Sequence, residues 1–367
     1  SRGLGDVYKR QLVLGYTVEG FKEKDNGVEV LLKDNPSLQA DMVVLAIGVT
    51  PDTVLAKEAG LELGIKGSIV VNDRMETSVS DIYAAGDAVQ VKHYVTGDDA
   101  LISLAGPANK QGRIIADNIC GGDSHYLGSQ GSSVIKVFDM TAATTGINET
   151  NAKKSGLEVD TVILSPMSHA GYYPGGKVMT MKVVFEKETY RLLGAQIIGY
   201  EGVDKRIDVL ATAIHAGLKA TQLKDLDLAY APPYSSAKDP VNMAGFMIDN
   251  IAKGTLKQWH LEDMDKISKD KSVVLLDVRT VGEFNRGHMD GFRNIPVDEL
   301  RERINEIEKG KPVYLICQSG LRSYIASRIL EGNGYETYNF SGGFRFYDAV
   351  VNDRALIERA YACGMDY

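Results

Sequence analysis

Short apolar runs broken by turn residues open the chain. Val28–Leu32 follows Asp25-Asn26-Gly27 and reads as a strand after a tight turn. Met42–Ile47 (MVVLAI) is continuously apolar, the pattern of a strand buried on both faces. Ile69–Val71 and Ile82–Ala85 have the composition of two more short strands. Pro107 then opens a helix to about Cys120, because proline suits the first helical turn and Ile114, Ile115 and Ile119 recur at helical spacing.

A second pattern runs from about Gly131 to Lys253. Val178–Phe185 and Leu192–Ile198 read as strands joined through residues 186–191 into a hairpin. An amphipathic helix follows, with Ile207, Leu210, Ala211 and Ile214 on one face. Tyr230–Pro240 (YAPPYSSAKDP) is irregular, since its prolines fix φ and remove donors. A third pattern begins near Trp259. Strands at Val273–Asp277, Val313–Cys317 and Thr337–Phe340 alternate with helical stretches at Val297–Glu308 and Leu321–Leu330, which implies βαβ units on a parallel sheet.

With 367 residues the chain is expected to hold two or three domains. Apolar residues at 44% and charged residues at 25% fit a folded globular protein. A net charge of −8 argues against nucleic acid or an anionic membrane as partner. No apolar run approaches a membrane span, and the start has no signal-peptide core. The three cysteines, Cys120, Cys317 and Cys363, are far apart and none has metal-ligand spacing, so no metal is expected and a reducing cytoplasm is the expected location. Ser1–Gln11 (SRGLGDVYKRQ) has neither helical period nor strand alternation and resembles a translated sequencing adapter. Those residues 1–11 are therefore set aside from the fold, with the expectation that the natural protein begins upstream.

Cys317 stands where the apolar strand Tyr314-Leu315-Ile316 ends and a helix begins. Between them lies Gln318-Ser319-Gly320-Leu321-Arg322. A helix start, a loop whose N–H groups can curl around an anion, and the Arg322 cation all favour a thiolate. Gly320 permits the left-handed backbone such a loop needs. A thiolate held this way can attack a sulfane sulfur and carry it as a persulfide; alone, Cys317 would read as an inert strand cysteine. CQSGLR resembles the rhodanese active-site loop. Leu276-Asp277-Val278-Arg279, Gly287-His288-Met289-Asp290-Gly291, Asn294-Ile295-Pro296 and Gly342-Gly343-Phe344 resemble that family's other motifs in the right order. Asp277, Arg279, Glu283 and His288 read as ion-pair or capping residues rather than as chemistry.

Upstream, Ala85-Gly86-Asp87 ends a strand in a glycine and a carboxylate able to accept from a ribitol hydroxyl, and the helix at Pro107, Ala108 and Asn109 offers an N-terminus to a reduced flavin. With Ala46-Ile47-Gly48-Val49-Thr50-Pro51 and LAGPANKQGR (104–113), these residues resemble the FAD- and NAD(P)-linked disulfide reductases. HAGYYPG (169–175) and YAPPYSSAKDPVN (230–242) are similar to coenzyme A-disulfide reductases fused to a rhodanese domain. The resemblance implies an α/β fold in four parts: the tail, a remnant of the NAD(P)/FAD-binding domains over 12–124, an α+β dimerisation domain over 125–254, and a parallel-sheet rhodanese domain over 259–367. It implies FAD and NAD(P)H as cofactors, coenzyme A as a substrate moiety, a homodimer, and small disulfides, persulfides or thiosulfate as substrates. It casts Tyr173 and Tyr234 as residues acting across the dimer, although aromatic packing explains either equally well. Cys120 reads as merely packed. No GxGxxG occurs anywhere, and no cysteine stands in the context of the family's redox thiol. The implied activity is reduction of coenzyme A disulfide or persulfides coupled to sulfur transfer through Cys317. A sulfurtransferase without a reductive step, or a non-enzymatic dimerisation module carrying a persulfide-binding domain, are the alternatives.

Overall fold

The computed structural model describes residue 13 and residues 15–352. The 1–11 tail and Cys363 lie outside them. Residues 15–49 belong, with 348–352, to the smaller of two units. It holds an antiparallel meander of β1 (Val18–Lys24), β2 (Gly27–Leu32) and β3 (Asn35–Ala40). Gly27 closes the β1–β2 turn at φ 136°, where a Cβ would stand 2.5 Å from the Ala40 carbonyl oxygen. Met42–Ile47 is not a strand. The meander ends at Ala40, the run finds no ladder on either side among the described residues, and Met42, Val44, Leu45 and Ile47 are exposed.

The second unit, residues 50–347, begins with α1 (Val54–Glu58). A small sheet of β4 (Ile69–Val70), β5 (Val89–Lys92) and β6 (Asp99–Ala100) follows over Met75, Val89 and Val91. The strand expected at Ile82–Ala85 is only a single bridge from Tyr83 to Glu76. The ladder resumes at β5 because Gly86, at φ 81°, first turns the chain through one 3-10 turn. α2 (Ala105–Ile119) starts two residues before Pro107, which stays within the first turn where its missing N–H has no acceptor to lose.

Next comes an antiparallel five-stranded sheet in the order β7-β8-β11-β10-β9, made of β7 (Ser133–Val137), β8 (Met140–Gly146), β9 (Val159–Leu164), β10 (Thr180–Glu186) and β11 (Leu192–Gly199). α3 (Glu149–Lys154) precedes β9. The β10–β11 hairpin forms as its sequence predicts. α4 (Val203–His215) packs on β8 and β11, and α5 (Pro240–Ala252) packs on β9. Together they bury Val183, Leu193, Ile197, Ile207, Leu210, Ile214 and Ile248. On α4, Ala213 is fully buried while Ala211 is half-buried, and Arg206 shares the buried face.

The last layer is β12 (Gln258–Trp259), α6 (Met264–Ile267), β13 (Val274–Asp277), α7 (Val281–Asn285), β14 (Arg293–Asn294), β15 (Val313–Ile316), α8 (Leu321–Glu331) and β16 (Thr337–Phe340). Its sheet is parallel throughout, in the order β12-β16-β15-β13-β14. The helix expected over Val297–Glu308 is replaced by turns and one 3-10 segment, Ile304–Glu306. Its N–H groups mostly reach three residues back, as Leu300 to Val297 and Ile307 to Ile304 do. The apolar positions Val297, Leu300, Ile304 and Ile307 suit such turns as well as a helix, so their spacing could not decide.

Candidate active site

Cys317 is the first residue after β15, at the C-terminal edge of the parallel sheet, and is 1% exposed. Its Sγ accepts a bond from the Gly320 N–H at 3.1 Å and one from the Ser323 hydroxyl at 3.2 Å. Gly320, at φ 99°, is the N-cap of α8, so the positive end of that helix faces the sulfur. Gln318 and Ser319 are half-buried and Leu321 is exposed. The loop is clamped from the other side: the Phe344 N–H donates to the Cys317 carbonyl at 2.8 Å and the Arg345 N–H to that of Gln318 at 3.1 Å. Gly343 permits this approach, since a Cβ there would stand 2.7 Å from the Gln318 carbonyl oxygen.

Two ion pairs flank the sulfur loop. Arg322 binds Glu283 through both terminal guanidinium nitrogens at 2.7 Å, so it is half of a neutral pair, not the free cation its sequence position suggests. Arg322 and the Thr280 cap hold the Glu283 carboxyl at about 2 against the opposing effect of burial. Arg279, buried beneath the Phe344 ring at 3.8 Å, grips the buried Asp277 at 2.7 Å and the Gly287 carbonyl at 2.8 Å. His288 stacks on Phe284 at 3.9 Å. Glu283, Asp277 and Arg279 thus have the ion-pair and capping roles that their sequence context implied.

A second cluster contains the candidate tyrosines. A cavity of about 500 Å³ is lined by Ser168, His169, Lys205, Arg206, Tyr230 and Tyr234, among others. Tyr173 touches His169 edge-on at 5.6 Å, and the Tyr172 and Tyr230 hydroxyls meet at 2.6 Å. Both Tyr173 and Tyr234 are exposed. Sequence reasoning missed what joins their segments. The buried Arg206 donates to Asp239 at 2.9 Å, to the Ser168 carbonyl at 3.0 Å and to the Tyr234 carbonyl at 3.3 Å. It missed Ser323 too. The available signal was a hydroxyl in the first turn of the helix that follows the cysteine.

On the flavin side, the Gly86 N–H is held by Gln111 Oε1 at 2.7 Å, and the space a Gly86 Cβ would take lies 3.8 Å from Ala108 Cβ. Asp87 and Asn109 are exposed beside the first turn of α2, which has no side-chain cap. Gly48, at φ 88°, lies in the other unit. Cys120 caps α2 and is exposed rather than packed. Among the described residues no group of three or more His, Cys, Asp or Glu is placed to hold a metal, and no helix is long and apolar enough to cross a membrane.

Three family models match the chain: pyridine nucleotide-disulphide oxidoreductase over residues 10–112, its dimerisation domain over 132–240, and a rhodanese-like domain over 260–349. The chain is built of pyridine nucleotide-disulphide oxidoreductase domains followed by a rhodanese domain. It is 39% identical over 219 residues to an NAD(P)H sulfur oxidoreductase (CoA-dependent) of Pyrococcus abyssi, covering 60% of this chain and 49% of the relative. The crystal structure of reduced CoADR-RHD from Bacillus anthracis is similar with a TM-score of 0.88 and 46% identity, over 92% of this chain and 60% of that one. An NAD-dependent persulfide reductase from A. fulgidus is similar with a TM-score of 0.81 and 40% identity, over 90% of this chain and 61% of that one. The chain spans about half the length of the curated relatives it matches. The oxidoreductase family uses FAD and NAD(P)H. The exposed Asp87 carboxylate and the start of α2, which has no side-chain cap, have the chemistry that the flavin end of FAD would need. A glycine fingerprint for the diphosphate is lacking from the sequence.

Proposed function

We propose that the protein of which this chain forms part is a homodimeric, cytoplasmic NAD(P)H-dependent reductase of coenzyme A disulfide or of coenzyme A and thiol persulfides, with Cys317 carrying sulfane sulfur to it. The observation that carries this reading is a buried sulfur at a strand end, bonded by the Gly320 N–H and the Ser323 hydroxyl. The Cys317 thiolate attacks the outer sulfur of a persulfide R–S–SH. A Cys317 Sγ–S bond forms, the RS–S bond breaks, and RS⁻ leaves with the bonding pair. An acceptor thiolate then attacks the outer sulfur and releases Cys317 as thiolate, so no oxidant or reductant is consumed in the transfer. Bound FAD would supply passage of two electrons from NAD(P)H to the disulfide or persulfide. Asp87 and the α2 start would orient it. Tyr173 and Tyr234, exposed on segments tied by Arg206, would serve the partner's thiol site. The test is sulfur transfer by this chain from a thiol persulfide to cyanide. Cys317→Ser should abolish thiocyanate formation and leave folding intact. Wild-type turnover by that variant overturns the assignment.

A further inference from the structure

One hydroxyl near the sulfur has a choice of acceptor. Ser323 is fully buried and carries a single proton to donate. Two acceptors lie in reach: Cys317 Sγ at 3.2 Å and the Gly320 carbonyl at 3.1 Å. The carbonyl does not need it. It already accepts from the Tyr324 N–H at 3.1 Å and from Asn339 Nδ2 at 3.2 Å, which match its two lone pairs. The sulfur is in the opposite position. It is enclosed, and the cation in its loop, Arg322, is neutralised by Glu283 at 2.7 Å. An enclosed anion without a net counter-charge depends on the hydrogen bonds it receives. The Gly320 N–H supplies one of them.

We propose that Ser323 is a catalytic residue of sulfur transfer, donating its hydroxyl proton in a hydrogen bond to the Cys317 sulfur whenever that sulfur bears negative charge. This rests on Cys317 being the sulfur carrier. The bond serves both half-reactions. It holds the thiolate that attacks the donor's outer sulfur, and it receives the thiolate again when the acceptor removes that sulfur. Between them, Sγ is bonded to the carried sulfur and has lost its charge, and the hydroxyl is free to turn to the Gly320 carbonyl. The proton never leaves the serine, so nothing further has to balance.

The experiment uses this chain with Cys120→Ser and Cys363→Ser, which leaves Cys317 as the one thiol. Alkylation by iodoacetamide at neutral pH reads the reactivity of the sulfur directly, and thiocyanate formed from a thiol persulfide and cyanide reads the full cycle. Ser323→Ala should slow alkylation about tenfold or more, the worth of a hydrogen bond to a charged group, and slow transfer in parallel. Ser323→Gly, lacking the same oxygen, should behave alike. Ser323→Thr should recover most of both rates. The denaturation midpoint should change little for Ala, because the Gly320 carbonyl keeps two donors. Ser323→Ala alkylating at the parent rate overturns the proposal, as does Thr losing as much as Ala. If Cys317→Ser still transfers sulfur, the carrier assignment fails instead, an outcome these serine variants do not mimic.

Discussion

The Glu283–Arg322 pair sets the charge that a substrate meets at the sulfur loop. Glu283 is held from 4.5 down to about 2, chiefly by the Arg322 guanidinium. Folding therefore favours its ionised form. That stabilisation is complete above the unfolded value and is lost as the pH falls through the native one. The shift alone would be worth roughly 3 kcal/mol. With side-chain exposures of 31% for Arg322 and 21% for Glu283, screening reduces this to about 1–2 kcal/mol. Glu283→Gln should cost that much at neutral pH and flatten the acid limb of the denaturation curve between 4.5 and about 2. It also leaves Arg322 unpaired near the sulfur. Anionic iodoacetate should then gain on neutral iodoacetamide as an alkylating agent of Cys317. Equal rates ratios in the variant and the parent would show that the Arg322 charge does not reach the thiol.

Elements here are held in place by side chains that local pattern cannot reveal. Arg206 sits on the buried face of α4 and Asp239 caps α5, 33 residues away in sequence. Pattern reading gave α4 its apolar face and the 230–240 stretch its irregularity, yet it had no means to pair an arginine with an aspartate across that distance. The same limit hid Ser323, whose partner is a sulfur six residues back, and left Val297–Glu308 undecided between helix and successive turns. What was legible is local or periodic: the β10–β11 hairpin, α8, and the strand-loop-helix around Cys317. The Arg206–Asp239 pair gives a sharp test. Asp239→Asn leaves a buried guanidinium without its counter-ion and should destabilise the chain by about 3–5 kcal/mol. Lys205, 3.9 Å from the same carboxylate but 37% exposed, should cost under about 1 kcal/mol when changed to Ala. Denaturant midpoints of the two variants measure the contrast. Similar small losses would mean that Arg206 finds adequate partners in the carbonyls of Gly202, Ser168 and Tyr234.

At the scale of the whole molecule, exposed apolar surface is the feature that a single chain does not explain. Met42–Ile47 has the composition of a doubly buried strand and is exposed, which is why reading it as a strand failed: burial on two faces needs neighbours that pattern cannot supply. The antiparallel sheet has a similar surplus at one end. β7 is its edge strand, and Val134, Ile135, Val137 and Met140 on the β7–β8 hairpin are exposed, with Phe138 at its turn 84% exposed. Soluble proteins usually blunt such an edge with charge or proline, and Lys136 is the one charge within β7. A patch of this kind marks a contact surface, and it lies in the domain whose family model is a dimerisation domain. We therefore expect the chain to sediment as a dimer at micromolar concentration. Ile135→Lys combined with Phe138→Asp should shift it towards monomer while the β10–β11 hairpin and the α4 core, which these side chains do not enter, keep the fold. A wild-type chain that sediments as a monomer removes this hairpin, and the homodimer with it, from the account. A double variant that stays dimeric would place the contact elsewhere on the domain.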